Sequence, residues 1–329
     1  MLTLFRTNQS LANIFLLPYV VLLHLHLFIF PGTNPTVYEH GLLSSWVAKW
    51  LQDIPFWANI TTILLLFVQA IMINSLVIKN RLSREISLFP GLFYVLLASF
   101  IPEFLQINPP LLANTFFILS LSSLLAVYKK PVAASLILNT GIWIGIASLF
   151  YFPYIILGIL GLIGLNILRA FKLRERLMLL SGVFIPFFLF GVYFFWTDQL
   201  SSFMEQQFFF RLKWHPLIEG FHGIDYIKLG IFGLILLVTF LSYGQYTQKQ
   251  NIQVQKKINI LYWATVLFFG SLAFTAYTGL MNLLYLTIPL SMLLSLNFIY
   301  MKKRSAETIH IILLASILYL QYKSWFIVG

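Results

Sequence analysis

Long apolar segments alternate with short polar connectors along almost the whole chain. Most of these segments have the length of about 17–25 residues that an α-helix needs to cross a bilayer. Segments 86–101 and 154–168 are shorter and are compatible with a tilted helical pair or a re-entrant element. The pattern predicts an all-α, polytopic helical bundle that forms a single integral membrane domain over residues 1–329, with about eleven transmembrane helices. The eleven segments are 10–30, 57–78, 86–101, 111–128, 132–149, 154–168, 177–196, 227–243, 260–278, 280–300 and 308–327.

Composition favours the same class of protein. Apolar residues make up 60% of the 329 residues and charged residues only 9%, against about 45–50% and about 25% in a soluble domain. So few charged side chains cannot coat a water-soluble globule. The chain has no cysteine, which excludes disulfides and a thiol nucleophile. The first segment is too long for the core of a signal peptide and no small-residue cleavage pattern follows it, so we expect a retained helix.

Basic residues predict the orientation of the bundle. If the N-terminus is inside, sixteen of the 21 lysines and arginines lie in inner connectors, as the positive-inside rule requires. The net charge of +11 therefore reports orientation, and nucleic acid is not an expected partner. Seven of the ten acidic residues lie on the outer side, which indicates either plain solvation of the outer loops or chemistry at the outer face. We predict a multipass membrane protein with a cytoplasmic N-terminus and an outer C-terminus.

Two outer loops have appreciable length, 31–56 and 197–226. In the first, apolar residues repeat at helical spacing after Glu39 and His40, which predicts a short amphipathic helix with Trp46 and Trp50 on its apolar side. The predicted polar side carries Ser44, Ser45, Lys49 and Gln52. Such a helix lies in the membrane interface. It either anchors the loop or holds Glu39 and His40 at the level of the lipid headgroups. A carboxylate there can act as a general base, or can bind a divalent cation that bridges to a diphosphate.

Further outer charges are candidates for a site. Glu103, in the next outer turn, can be a second acidic partner, because an acid beside an apolar helix end is costly unless it is solvated, paired or used. Arg211 and Lys213 lie beside Trp214 and His215 in the second long loop. This pair of cations can clamp a phosphate, or can snorkel onto lipid phosphates.

Other patterns argue against several classes of function. Histidines and acids in loop 197–226 have the spacing of metal ligands on one helix face, but a proline and two glycines interrupt it, so no metal site is predicted there. No charged residue lies near the centre of a predicted span, which disfavours ion-coupled transport. The amides within or beside the spans are interpreted as interhelical hydrogen-bonding groups. They are Asn13, Gln69, Asn74, Asn114, Asn139, Asn166, Asn282 and Asn297.

The order of these elements resembles the GT-C class of membrane glycosyltransferases, which use polyprenyl-phosphate-linked sugars. The resemblance extends over roughly residues 1–200 and rests on one helix, an outer loop with an acid and an interfacial helix, and then a multihelix bundle. In that class a catalytic Asp usually occupies the first outer loop, and the matching residue is Glu39. Ile101-Pro102-Glu103 is similar to an Arg-Pro-Glu stretch of the class without its Arg. Segment 145–153 resembles a Gly-Leu-Ala turn, with aromatic residues where many members have Lys.

The resemblance implies glycosyl transfer from a polyprenyl-linked sugar or glycan at the outer face. Glu39, with His40 beside it, would be the general base or cation ligand and Glu103 the second acid. Arg211 and Lys213 would hold the phosphate, next to Trp214 and His215. Residues 145–200 also resemble an uncharacterised multipass family of Bacteroidota.

Two other interpretations of the sequence stay open. One is a non-catalytic membrane subunit or scaffold of an envelope-biogenesis or secretion complex, with another membrane protein as its partner. The other is a flippase for lipid-linked glycans, which needs a polar path that these spans lack. In each case membrane lipids are expected partners.

Overall fold

The structure is a computed structural model that describes residues 2–6, 13–29, 41–51, 54–83, 85–209, 223–248, 250–272 and 280–328. Within these ranges the chain forms helices and turns, with no strand. The α-helices are α1 Leu2–Phe5, α2 Leu16–His24, α3 His26–Ile29, α4 Leu42–Leu51, α5 Pro55–Lys79, α6 Phe89–Ala98, α7 Pro109–Ala126, α8 Ala134–Phe150, α9 Leu157–Leu168, α10 Leu173–Trp196, α11 Leu200–Met204, α12 Gly223–Leu241, α13 Tyr243–Thr247, α14 Ile252–Ser271, α15 Thr287–Tyr300 and α16 Lys303–Val328. Shorter 3₁₀ helices are Pro102–Phe104, Phe152–Ile156 and Leu280–Leu286, and Glu205–Phe209 is a π-helix.

The all-α prediction is confirmed for the described residues, and each of the eleven predicted segments contains a helix. Five stretches are long and apolar enough to cross a membrane: Pro55–Lys79, Pro109–Ala126, Leu173–Trp196, Leu280–Tyr300 and Lys303–Tyr322. Some bounds differ from the predicted ones: a turn at Leu25 divides the first segment into α2 and α3, and α14 begins at Ile252, before the predicted start at residue 260.

Proline and asparagine define where several of these helices begin. Proline occupies the first turn of α5, α6 and α7, where its missing N–H costs no intrahelical hydrogen bond. At α7 the Asn108 side chain also accepts a hydrogen bond from the Leu111 amide at 2.8 Å, which caps the helix. These residues explain why the helices begin sharply after polar connectors.

Burial divides the bundle into a centre and a periphery. All ten residues of α6 are buried. In the most apolar 18-residue part of Leu280–Tyr300, 94% of the residues are buried, whereas the corresponding share is 28% in Leu173–Trp196 and 22% in Lys303–Tyr322. The peripheral helix α10 presents Phe184, Phe188 and Leu189 outward, each more than half exposed. An apolar face of this extent is unusual in water and typical of contact with an apolar environment. The arrangement is therefore compatible with a membrane protein.

Glycines allow α8 and α10 to approach closely. A methyl group added at Gly141 would lie 2.2 Å from the Leu179 carbonyl oxygen, and one at Gly182 would lie 2.5 Å from that of Leu138. Gly145 faces the Val183 carbonyl in the same way, at 2.5 Å. Gly141 and Gly145 form a Gly-x-x-x-Gly pattern, which lets backbones meet where lipid supplies no hydrophobic driving force between helices.

Polar contacts join connectors at the same predicted side of the bundle. At the side predicted to face inward, Arg6 contacts Glu85 at 3.4 Å and donates to the Ile299 carbonyl at 3.2 Å. Lys257 donates to the Asn80 side-chain oxygen at 2.8 Å. These contacts bring together the chain near residues 6, 80, 257 and 299, which the basic-residue pattern assigns to one side.

Candidate functional site

Six of the seven predicted site residues lie outside the part of the chain that the structure describes. They are Glu39, His40, Arg211, Lys213, Trp214 and His215. Their roles, and the divalent cation that Glu39 would bind, stay predictions. The seventh residue, Glu103, is described, and so are the elements that flank both long outer loops.

Glu103 takes part in an ion cluster with Lys228 and Asp225. The 3₁₀ helix Pro102–Phe104 presents Glu103 with its side chain 45% exposed, while the fully buried Phe104 anchors the turn. The Lys228 ammonium donates to the two Glu103 carboxylate oxygens at 3.0 and 3.4 Å and to Asp225 Oδ1 at 3.1 Å. Two carboxylates thus share one buried ammonium, and the cluster joins the turn after α6 to the start of α12.

The sequence carried a signal for part of this cluster. Asp225 and Lys228 are three residues apart, a spacing that places opposite charges next to each other on a helix. The contact of Lys228 with Glu103 could not be predicted from neighbouring residues, because Glu103 lies 125 positions earlier in the chain. Within this cluster Glu103 already forms an ion pair with a cation of the protein itself, Lys228. Among the described residues, no group of three His, Asp or Glu side chains could hold a metal ion.

The helix predicted after Glu39 and His40 is present as α4, and it packs on the ends of α8 and α10 that are predicted to face outward. A methyl group at Gly41, just before α4, would lie 2.2 Å from the Phe150 carbonyl oxygen, so only glycine permits this approach. The Leu42 amide donates to the Gln207 side-chain oxygen at 3.3 Å, and Gln207 Nε2 donates to the Ser148 carbonyl at 2.8 Å. Gln207 is fully buried and ties three elements together.

One face of α4 differs from the prediction. Ser44, placed on the polar face by the sequence pattern, is buried and donates to the Gly41 carbonyl at 2.9 Å. Trp46 and Trp50, which the pattern places together on the apolar side, are 45% and 88% exposed, as expected for a face that the protein itself does not cover. The rotation of the helix is set by the contacts of Gly41 and Leu42, which direct Ser44 toward the protein.

Aromatic rings connect α4 to the segment 200–209. The Trp46 ring lies 6.1–6.5 Å from the rings of Phe190, Tyr193 and Phe194. Phe194 stacks on Phe203 at 5.4 Å, and Phe203 meets Phe208 edge-on at 5.9 Å. Aromatic pairs at these distances are favourable beyond the area that they bury. We call α4, the outer end of α10 and residues 200–209 the outer aromatic platform.

The platform forms one side of an apolar groove of about 410 Å³. The groove lies between the outer half of α10 and residues 200–208, and aromatic side chains form most of its lining together with Gly191. Its lining residues are Phe184, Phe187, Phe188, Gly191, Val192, Phe195, Leu200, Phe203, Met204 and Phe208. Among the described residues, no charged or hydrogen-bonding side chain lines it, so its surface suits a hydrocarbon chain.

A buried polar chain crosses the centre of the bundle. The Tyr154 hydroxyl donates to the Asn114 oxygen, the Asn114 amide donates to the Tyr94 hydroxyl at 3.4 Å, and Tyr94 donates to Gln69. Gln69 Nε2 then donates to the Leu111 carbonyl and the Thr115 hydroxyl, both at 2.8 Å. The expected interhelical role is confirmed for Gln69 and Asn114. The tyrosines were missed because a tyrosine within an apolar segment reads as any other aromatic residue.

The chain was compared with family models, with curated proteins and with solved structures. No family model, no curated protein and no solved structure matches it.

Proposed function

We propose that the protein is a bacterial inner-membrane protein of GT-C-like architecture that acts at its outer face on a polyprenyl-linked sugar or glycan. About eleven helices would cross the membrane, with the N-terminus in the cytoplasm and the C-terminus outside. The distribution of basic residues supports this orientation. Contacts that join residues 6, 85 and 299, and those that join 103 and 228, are consistent with it because each joins segments assigned to the same side.

The apolar groove beside the outer aromatic platform is the observation that carries this proposal. Phe184, Phe188 and Phe195 on α10, the helix that forms its wall, are each more than half exposed, so the groove would open toward the hydrocarbon of a surrounding bilayer. A chain of isoprene units matches both the apolar chemistry of the lining and its aromatic character. The groove therefore suits the lipid part of a polyprenyl-linked substrate.

The reactive group would come from the loop that precedes α4. Glu39 and His40 immediately precede Gly41, the residue that seats this helix against the Phe150 carbonyl. In the proposed reaction Glu39 removes the proton of an acceptor hydroxyl, and the acceptor oxygen forms a bond to the anomeric carbon of the sugar. The bond from that carbon to the phosphate oxygen breaks, and polyprenyl phosphate leaves.

Replacement of Glu39 tests the enzymatic proposal. Glu39→Gln keeps the size of the side chain but cannot accept the proton, so sugar transfer should be abolished while expression and membrane insertion stay unchanged. Asp198→Asn, which neutralises an exposed acid on the same predicted side and outside the groove, is the matched control and should keep full activity. Full activity in Glu39→Gln would contradict the proposed chemistry.

The ion cluster favours a second candidate function, that of a non-catalytic membrane subunit. Glu103 already has a cation partner in Lys228, which suits a structural role for this acid. A subunit of an envelope-biogenesis or secretion complex should purify together with another membrane protein, and Glu39→Gln should leave its function intact. The same variant therefore distinguishes the two proposals.

A further inference from the structure

A basic cluster lies at the side of the bundle opposite the aromatic platform, where α7, α9 and α14 meet. Its members are Tyr128, Lys129, Lys130, Arg169 and Lys256, and we call it the inner basic cluster. The Lys129 ammonium lies 5.6 Å from the centre of the Tyr128 ring, and the Lys256 ammonium lies 5.9 Å from it. Two cations, one from the turn after α7 and one from α14, thus converge on one aromatic ring.

The neighbouring backbone is held in place by Arg169. Its Nη1 donates to the Lys130 carbonyl at 2.5 Å and to the Val127 carbonyl at 3.4 Å. These contacts join the turn after α7 to the connector between α9 and α10. Lys129 has a positive φ of 55°, a backbone conformation that is uncommon for lysine. The shape of the turn therefore determines the direction in which this side chain leaves the backbone. The cluster is therefore a defined arrangement of side chains on two fixed connectors.

The acid nearest in the chain does not neutralise these lysines. Both Glu175 carboxylate oxygens accept from Arg169 at 3.1 Å, and one also lies 3.8 Å from Arg176. Within the described ranges, Lys129, Lys130 and Lys256 form no salt bridge with any acid. Like charges that converge without a counterion repel one another, so an anion between them would be stabilising, by a modest amount for each lysine because Lys129 and Lys130 are exposed and Lys256 is only partly buried.

Exposed apolar side chains flank the cluster. Val132, in the same turn as Lys130, is 82% exposed, and Phe171, two residues after Arg169, is 71% exposed. The surface therefore combines excess positive charge with apolar side chains. A phospholipid with an anionic headgroup has the complementary combination of a phosphate and acyl chains, which a soluble phosphate compound lacks.

We propose that the inner basic cluster binds an anionic phospholipid of the inner leaflet, with the phosphate between Lys129 and Lys256 and the acyl chains against Val132 and Phe171. The inference is independent of sugar transfer and of the groove on the outer side. It requires only that the chain is embedded in a membrane.

Native mass spectrometry of the full-length protein tests the proposal. The purified protein is titrated with phosphatidylglycerol or with phosphatidylcholine of the same acyl chains, and glycerol phosphate is added as a soluble competitor. Phosphatidylglycerol should bind more tightly than phosphatidylcholine, and glycerol phosphate at the same concentration should not displace it. Equal affinity for the two lipids, or displacement by glycerol phosphate, would overturn the proposal.

Charge-removing variants locate the lipid. Lys129→Gln with Lys256→Gln should weaken phosphatidylglycerol binding by about fivefold for each lysine removed and leave phosphatidylcholine binding unchanged. Lys302→Gln with Lys303→Gln removes the same charge from exposed positions on the same predicted side and should have little effect. The pair Lys129→Arg and Lys256→Arg should retain binding, which shows that a loss comes from charge and not from misfolding. An equal loss in the control pair would mean that charge acts diffusely, and would contradict a site at this cluster.

Discussion

At the scale of single residues, Lys228 is the side chain on which the outer ion cluster depends. Its ammonium is largely buried and contacts the carboxylates of Glu103 and Asp225. Lys228→Met should remove the ammonium that two neighbouring carboxylates share and should lower the free energy of unfolding by about 1–3 kcal/mol, nearer the lower value because Glu103 is half exposed. Thermal unfolding of the purified protein in one detergent measures the change.

The matched control for this prediction is a double-variant cycle. The double variant Glu103→Gln with Lys228→Met should lose less free energy of unfolding than the sum of the losses in the two single variants. The reason is that the double variant removes both members of the ion pair, whereas each single variant leaves one of them behind. Additive effects would show that the two side chains do not interact in the folded protein.

In the buried polar chain, Gln69 is the side chain that accepts from Tyr94 and donates to Thr115. Gln69→Leu leaves the Tyr94 hydroxyl without its acceptor and the Thr115 hydroxyl without its donor, and we expect a loss of about 1–3 kcal/mol of stability. Asn139→Leu replaces an exposed amide on α8 and serves as the control, with no loss expected. Thermal unfolding measures both variants, and equal melting temperatures would contradict a stabilising role for the network.

The residue scale also shows how far sequence reasoning can reach. Amides inside apolar segments were predicted to bond between helices, since an unsatisfied amide in hydrocarbon is costly, and Gln69, Asn74 and Asn114 do so. Their partners were not predictable. Tyr94 and Tyr154 act through hydroxyl groups whose position depends on how α6 and the 152–156 turn pack, and no local pattern encodes that packing.

At the scale of elements, the contact of α8 with α10 depends on glycine. Gly141→Ala places a methyl group 2.2 Å from a backbone oxygen of α10, so the helices must separate, and we expect a destabilisation of about 1–3 kcal/mol. Gly233→Ala in α12 adds the same methyl group where no atom lies within 4 Å and should be neutral or stabilising. If both variants unfold at the same temperature, the close packing of α8 and α10 is wrong.

The interfacial helix shows which properties of an element are local. Its existence and bounds follow from apolar spacing between residues 42 and 51, and the structure confirms them. Its rotation about its own axis was predicted incorrectly for Ser44, which is buried. That rotation depends on the Phe150 carbonyl and the Gln207 side chain, which lie more than a hundred positions away in the chain.

At the scale of the whole molecule, the absence of cysteine makes the predicted orientation directly measurable. Single cysteines can be introduced without a background signal. In intact cells a membrane-impermeant maleimide should label Glu205→Cys, on the predicted outer side, and should label Lys172→Cys only after permeabilisation. The opposite result would invert the orientation, and labelling of both variants in intact cells would contradict a multipass arrangement with these connectors on opposite sides.

The sequence predicts the segments of the bundle better than their arrangement. Each of the eleven apolar segments contains a helix because its length and composition are local properties. The central position of α6 and α15 and the peripheral position of α10 were not predictable, since all three are similarly apolar. For the same reason the groove on α10 could not be predicted from the sequence. The aromatic residues that line it have the same pattern as ordinary membrane-facing residues.

The central claim is that the outer groove receives the lipid of a polyprenyl-linked substrate. Photocrosslinking tests it most directly, with a polyprenyl-phosphate sugar that carries a benzophenone on its prenyl chain and mass-spectrometric mapping of the crosslinked peptides. Gly191→Phe fills the groove, whereas Gly230→Phe places the same ring in open space on α12. We predict crosslinks at the outer half of α10 and at residues 200–208 that disappear in Gly191→Phe and persist in Gly230→Phe. Crosslinks spread evenly over the exposed helices, or unchanged by Gly191→Phe, would contradict the claim.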